Sequence, residues 1–128
     1  MEILVVDDNP LIHELLPAVL ARAFGAEARV TAARDLEEAF RHLAHNPPPA
    51  LALLDLGLPG HAGLETLRRF RWKFPGVPVV VLSATEDDAS IRVARSLGVS
   101  GYLPKSLSAE RMVEALQKIG TGKTFFPT

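Results

Sequence analysis

Leu51-Ala52-Leu53-Leu54-Asp55-Leu56-Gly57-Leu58-Pro59-Gly60 is the stretch that decides the fold. Four apolar residues lead to one carboxylate, and Gly57, Pro59 and Gly60 then supply turn chemistry. A short apolar run closed by turn residues reads as a strand buried on both faces of a parallel sheet. Parallel sheets carry their ligand sites just beyond the carboxyl ends of the strands. Asp55 stands at such an end, which makes it the candidate for covalent modification.

Working outward, the same pattern recurs on both sides. Ile3 to Val6 reads as a central strand ending in Asp7-Asp8, after which Asn9 and Pro10 supply an N-cap and a first-turn proline. Leu11, Ile12, Leu15, Leu16, Val19 and Ala23 recur at helical spacing up to Phe24, and Gly25 ends the helix. Pro17 within it predicts a kink rather than a break, because the apolar pattern continues past it. Ala28 to Thr31 reads as a short edge strand. Asp35 with Glu38 is a capping pair for a helix carrying Leu36, Ala39, Phe40 and Leu43, which Asn46 and Pro47 to Pro49 terminate.

Downstream of Asp55, Leu64, Leu67, Phe70 and Phe74 mark a third helix. Val79 to Leu82 is the next strand, ending at Ser83-Ala84-Thr85. Glu86, Asp87 and Asp88 favour a helix start before Ile91, Val93, Ala94 and Leu97, with Gly98 as its end. Ser100 to Leu103 is a fifth strand ending at Pro104-Lys105, and Ser108 caps a helix with Met112, Val113, Leu116 and Ile119 inward. Five strands alternating with five helices argue for an α/β, flavodoxin-like doubly wound sheet of order 2-1-3-4-5. The domain is expected over residues 1–120, with residues 121–128 trailing off as the start of a linker and no output domain in this chain.

Composition narrows the function. The 128 residues with 48% hydrophobic content suffice for one domain with a real core. A formal charge of −1 gives no bulk attraction to nucleic acid or to anionic membrane, and the absence of cysteine excludes thiolate chemistry and disulfides. No apolar run is long enough to span a bilayer, and the N-terminus lacks the features of a signal peptide, so a cytoplasmic location is expected.

On the expected topology the strand ends converge: Asp7 and Asp8 from the first, Asp55 from the third, Ser83 from the fourth and Lys105 from the fifth. Three crowded carboxylates repel one another, and a divalent cation relieves that. All-oxygen ligation with few protein groups suits Mg²⁺. A carboxylate is an established covalent nucleophile for phosphoryl groups, Lys105 can neutralise phosphoryl charge, and Ser83 can donate to the attached group. Taken singly, each of these residues has a plainer reading as a helix cap, a solvated lysine or a turn hydroxyl. Their joint occurrence carries the argument.

Val6-Asp7-Asp8-Asn9-Pro10, Leu54-Asp55 with Pro59, Gly60 and Gly63, Leu82-Ser83-Ala84 and Gly101-Tyr102-Leu103-Pro104-Lys105 together resemble the receiver domain of two-component response regulators. The resemblance is closest to the NarL/LuxR-like branch with C-terminal helix-turn-helix output domains. It implies that Asp55 is the phosphoacceptor, that Asp7 and Asp8 serve as Mg²⁺ ligands, and that the backbone carbonyl of Gly57 is a further ligand. It implies that Ser83 and Tyr102 form a switch pair reshaping the face made by helix 4, strand 5 and helix 5, and that Lys105 is the family's lysine. A histidine kinase or phosphotransfer protein is the implied donor, a homodimer is a further expected partner, and transcription is the implied output, with DNA contacted only through an output domain absent here. Pro104 precedes the lysine where many members have proline after it, and the Leu103–Pro104 bond is expected trans.

Other motifs weigh less. Gly122-Lys123-Thr124 resembles a P-loop end but lacks the strand–loop–helix context. His42 and His45 have metal-compatible spacing without further ligands, and Arg68, Arg69, Arg71 and Lys73 read as a solvated face. Trp72 is expected to pack at the helix edge. Two competing classes are a phosphate-independent interaction module and a turnover phosphatase. Beyond catalysing its own phosphorylation and slow hydrolysis, no enzymatic activity is expected, because Gly57 offers no general acid beside Asp55.

Overall fold

Alternation within the strands sorts the core into two layers. Successive strand side chains point to opposite faces, so Leu4, Val6, Ala52 and Leu54 join one cluster while Ile3, Val5, Leu51 and Leu53 join the other. All of these are at most 3% exposed, as a sheet covered on both sides requires. The computed structural model describes residues 1–57 and 63–127. The turn expected through Pro59 and Gly60 lies outside the described residues.

The elements in chain order are β1 (Glu2–Val6), α1 (Pro10–Phe24), β2 (Arg29–Ala33), α2 (Leu36–His45), β3 (Leu51–Asp55), α3 (Gly63–Lys73), β4 (Val79–Ser83), α4 (Asp88–Ser96), β5 (Gly101–Pro104) and α5 (Ala109–Gly120). The five strands are parallel in the order β2-β1-β3-β4-β5, so the flavodoxin-like arrangement holds. Helices α1 and α5 cover one face, through Ile12, Leu16, Val19 and Met112, Leu116, Ile119. Helices α2, α3 and α4 cover the other, through Leu36, Leu67, Phe70 and Ile91.

Local signals account for most boundaries. Asn9 Oδ1 accepts from Leu11 N at 3.0 Å, which starts α1, and Gly25 at φ +98° ends it. The helix runs through Pro17 unbroken, with that ring on the exposed side. Asp35 Oδ1 accepts from Glu38 N at 2.8 Å to start α2. Replacing Asp35 with Ala should lower stability by about 1 kcal/mol, the usual worth of an N-cap, read as a shift in the urea midpoint at unchanged slope.

Three expectations need correction. The second strand begins at Arg29 and extends to Ala33, because each of its five residues pairs in register with β1. Leu11 and Leu15 do not face the core: they are 67% and 40% exposed. The apolar stripe of α1 is wider than the part that the sheet and α5 cover. Residues 121–127 do not trail off, since Phe125 bridges to Gly101 at the edge of β5.

Candidate functional site

Strand register sets the site. Val6 pairs with Leu54, so the residues that follow, Asp7 and Asp55, emerge level with each other from adjacent strands. Across β3 and β4, Asp55 pairs with Leu82, and across β4 and β5, Ser83 pairs with Pro104. Lys105 N–H donates to the Ser83 carbonyl at 2.7 Å, which fixes the lysine immediately past the sheet. The Leu103–Pro104 bond is trans, as expected.

The side chains of three strand ends meet, and Ser83 from the fourth lines the cavity beside them. Lys105 Nζ stands 2.9 Å from Asp7 Oδ2 and 3.2 Å from Asp55 Oδ1. Asp7 is fully buried and Asp55 is 3% exposed, whereas Asp8 is exposed. Asp7 Oδ1 accepts from Asn9 N at 2.8 Å, and Asp55 Oδ1 accepts from Gly57 N at 3.0 Å. Among the described residues, the Lys105 ammonium is the one partner of Asp7 Oδ2. Burial pushes the Asp55 carboxyl above its ordinary range, and the Asp7 charge adds to that; the Gly57 N–H and Lys105 act against it without cancelling it. Burial alone would lower Lys105, yet its contacts with Asp7 and Asp55 outweigh that and raise it.

One oxygen from each of Asp7, Asp8 and Asp55 lies within 4.8 Å of the others, the one cluster among the described residues with the geometry to hold a metal ion. An all-carboxylate set, crowded enough to draw in the Lys105 ammonium, fits a hard, oxygen-seeking cation. The carboxylates open onto a cavity of about 490 Å³ whose lining includes Asp8, Asp55, Gly57, Ser83, Thr85 and Lys105.

Tyr102 lies behind this cavity with its ring fully buried, its hydroxyl donating to Thr85 O at 3.0 Å. Thr85 N–H donates to Ser83 Oγ at 3.1 Å, and the Thr85 hydroxyl donates to Asp87 Oδ1 at 3.2 Å. Asp87 caps α4 through Ser90 N at 2.9 Å. Ser83, Tyr102 and the start of α4 therefore share one small hydrogen-bonded unit centred on Thr85. Tyr102→Phe should cost about 0.5–1 kcal/mol, the low end for a lost hydrogen bond because Thr85 O can turn to water; a thermal melt checks this.

Two contacts were not anticipated from sequence. Thr85 stands two residues past Ser83, a spacing at which a hydroxyl can bond local backbone, and that was the only signal for it. His13 Nε2 is 2.6 Å from Asp7 O, six residues back, and nothing local marks that pairing. The basic run on α3 is only in part a solvated face. Arg71 bonds the carbonyls of Leu97, Pro75 and Val77, tying α3 to its neighbours. Lys73 Nζ lies over the Phe40 ring at 4.9 Å. Trp72 does not pack at the helix edge; it is 86% exposed. His42 pairs with the Asn46 side chain at 3.2 Å and joins no metal-competent cluster among the described residues.

A family model for the response regulator receiver domain matches residues 3–117. The chain belongs to the response regulator receiver family. Among similar receivers, the glycerol metabolism activator of Pseudomonas putida is 35% identical over 127 residues, covering 98% of this chain and 57% of that protein. The nitrate/nitrite response regulator protein NarL of Escherichia coli K12 is 31% identical over 121 residues, covering 94% and 55%. This chain thus spans a little over half the length of these relatives. A LuxR family DNA-binding response regulator from Silicibacter pomeroyi has a similar structure, with a TM-score of 0.85, 28% identity, and coverage of 99% and 97% of the two chains. The Mn²⁺-bound form of response regulator Rcp1 superposes with a TM-score of 0.75 at 28% identity, covering 94% and 91%. The receiver's relatives are signalling proteins rather than metabolic enzymes, and no helix among its described residues is long and apolar enough to cross a membrane.

Proposed function

We propose that this receiver is a cytoplasmic signalling module that takes a phosphoryl group onto Asp55 in a Mg²⁺-dependent reaction. The observation that carries the reading is Lys105 Nζ seated between Asp7 and Asp55 at the mouth of a cavity lined with Ser83 and Gly57. A carboxylate oxygen of Asp55 attacks the phosphorus of a phosphohistidine on a kinase or phosphotransfer protein. The new O–P bond forms as the P–N bond breaks, and the imidazole leaves with the electron pair and takes a proton from solvent. Asp7, Asp8, Asp55 and the backbone carbonyl of Gly57 would hold the cation, which when bound neutralises phosphoryl oxygens.

Lys105 supports the reading as the second neutralising charge, since its ammonium already contacts the acceptor. Gly57 leaves the acceptor's approach open: even a Cβ there would sit 3.5 Å from Asp55 Oδ1. Ser83 offers a hydroxyl to the attached group, and its movement would pull on Thr85 and through it on Tyr102 and α4. The surface of α4, β5 and α5 is then the output face, whether in a homodimer or toward an output region. Transcriptional control is the output we favour, because the relatives named for regulation extend well beyond the matched segment.

The test is incubation with Mg²⁺ and acetyl phosphate, followed by intact mass. A stoichiometric gain of one phosphoryl group supports the switch. No gain would leave a phosphate-independent interaction module as the better reading, and many turnovers per molecule would favour a phosphatase. Mass is the appropriate readout, because Trp72 is already in water and is not among the residues that line the cavity.

A further inference from the structure

The end of α5 is built to aim the chain that follows. Gly122 holds φ at +90°, a region that side chains disfavour. Its N–H donates to Ile119 O at 3.0 Å, and Lys123 N–H reaches Lys118 O at 3.2 Å. This pair of bonds is a Schellman closure, which satisfies the last helical carbonyls and reverses the chain. The reversal lays residues 124–126 along the outer edge of β5. There Phe125 N–H donates to Ser100 O at 3.1 Å, and Phe125 O accepts from Tyr102 N–H at 2.9 Å. The resulting bridge is parallel, like the pairings within the sheet.

Side chains complete the seat. Phe125 packs with the core on the α1 and α5 side, and Phe126 with the core on the opposite side, so the pair straddles the sheet edge. The Arg95 guanidinium of α4 stands 4.3 Å from the Phe126 ring centroid. Gly101 leaves room beneath them: a Cβ there would lie 2.7 Å from Ile119 Cδ1 and 3.2 Å from Phe125 O, so the Ile119 side chain and the strap would both have to shift. The segment therefore touches α4, β5 and α5 together. It also satisfies the backbone N–H of fully buried Tyr102, a group that is costly to leave unpaired.

We infer that the outer edge of β5 is a strand-addition surface occupied in cis by residues 124–126, and that this strap carries the state of Asp55 from Tyr102 to whatever the tail contacts or bears. The inference rests on the reading of Asp55 and Tyr102 given above and adds a route out of the domain. Coupling of this kind is reciprocal: if loading Asp55 alters the docking of the strap, disturbing the strap alters loading by the same factor.

Amide exchange on the full chain with Mg²⁺, with and without beryllofluoride as the phosphoryl mimic, tests this. In wild type, exchange at Tyr102 and Phe125 should change together on adding beryllofluoride, and neither should change in Asp55→Asn. Phe126→Ala should speed exchange at both amides and move the beryllofluoride midpoint by about fivefold. Arg95→Ala removes only a surface cation and leaves the core intact. It should move the midpoint in the same direction by less, which keeps the test valid if Phe126→Ala folds poorly. Mass gain from acetyl phosphate with unchanged exchange at Phe125 overturns the strap alone, and an unmoved midpoint in both variants does the same. No mass gain overturns the parent reading. Protection of Phe125 that depends on protein concentration would assign the edge to a second copy and overturn occupancy in cis.

Discussion

Asp55→Asn should gain no phosphoryl mass from acetyl phosphate and Mg²⁺ under conditions where the wild type is modified. The amide keeps the shape of the carboxylate and its bond from Gly57 N–H, so the loss reports chemistry rather than collapse. The same substitution should raise stability at neutral pH. Burial first, then Asp7, holds the Asp55 carboxyl above its ordinary value of 3.8, so ionising it costs the folded state. The sign follows from linkage. A group with a raised folded pKa favours the fold below its unfolded value, and that contribution is lost as pH rises through the folded pKa. Wild type should therefore lose stability across that window and stay lower above it. Asn lacks the titration, giving a gain at pH 7 that vanishes below the ordinary carboxylate range. Urea midpoints at several pH values measure it. A gain that persists in acid would refute the electrostatic origin.

Lys105→Met should have the second large effect, and in the opposite direction. It leaves Asp7, fully buried, and Asp55, 3% exposed, facing each other without a counter-charge. Removing one partner of a buried pair costs 3–5 kcal/mol as a rule. Here about 2 kcal/mol is expected, because the ammonium is partly exposed and the carboxylates can protonate in response. Added Mg²⁺ should recover much of that loss, since it supplies the missing charge to the same oxygens. Phosphorylation should slow by about 10²–10³, the usual cost of one preorganised charge-stabilising group. The pH signature is distinct. Burial lowers Lys105 and the two carboxylates raise it further, for a net rise. Its stabilisation is therefore complete below the ordinary lysine value of 10.5 and is lost as pH rises through the folded pKa. The Met variant should show no such alkaline transition, which differential melts between pH 9 and pH 12 would reveal.

The site was legible because its members sit at strand ends. A strand end is marked locally, by an apolar run meeting a polar residue, and the parallel topology turns those marks into neighbours. Asp7, Asp55, Ser83 and Lys105 were found in this way, and the structure brings all four together. Thr85 and His13 escaped because their contacts depend on where a loop and a helix turn settle against other strands. Local sequence carries no period for that.

The sequence by itself determined the order of elements, their caps and the chemical type of the site. Hydrophobic period, N-cap residues and terminating glycines act within a few residues of the chain, and their physics is read where they stand. Tertiary structure alone decided which part of an apolar stripe is covered, and so left Leu11 and Trp72 in water. It also decided the fate of the tail. Phe125 and Phe126 follow a helix end with no repeating pattern, so nothing local distinguishes a linker from a docked strand. The open edge of β5 and the outward Tyr102 N–H, which Phe125 O accepts, draw them in, and that edge exists only once the sheet is assembled.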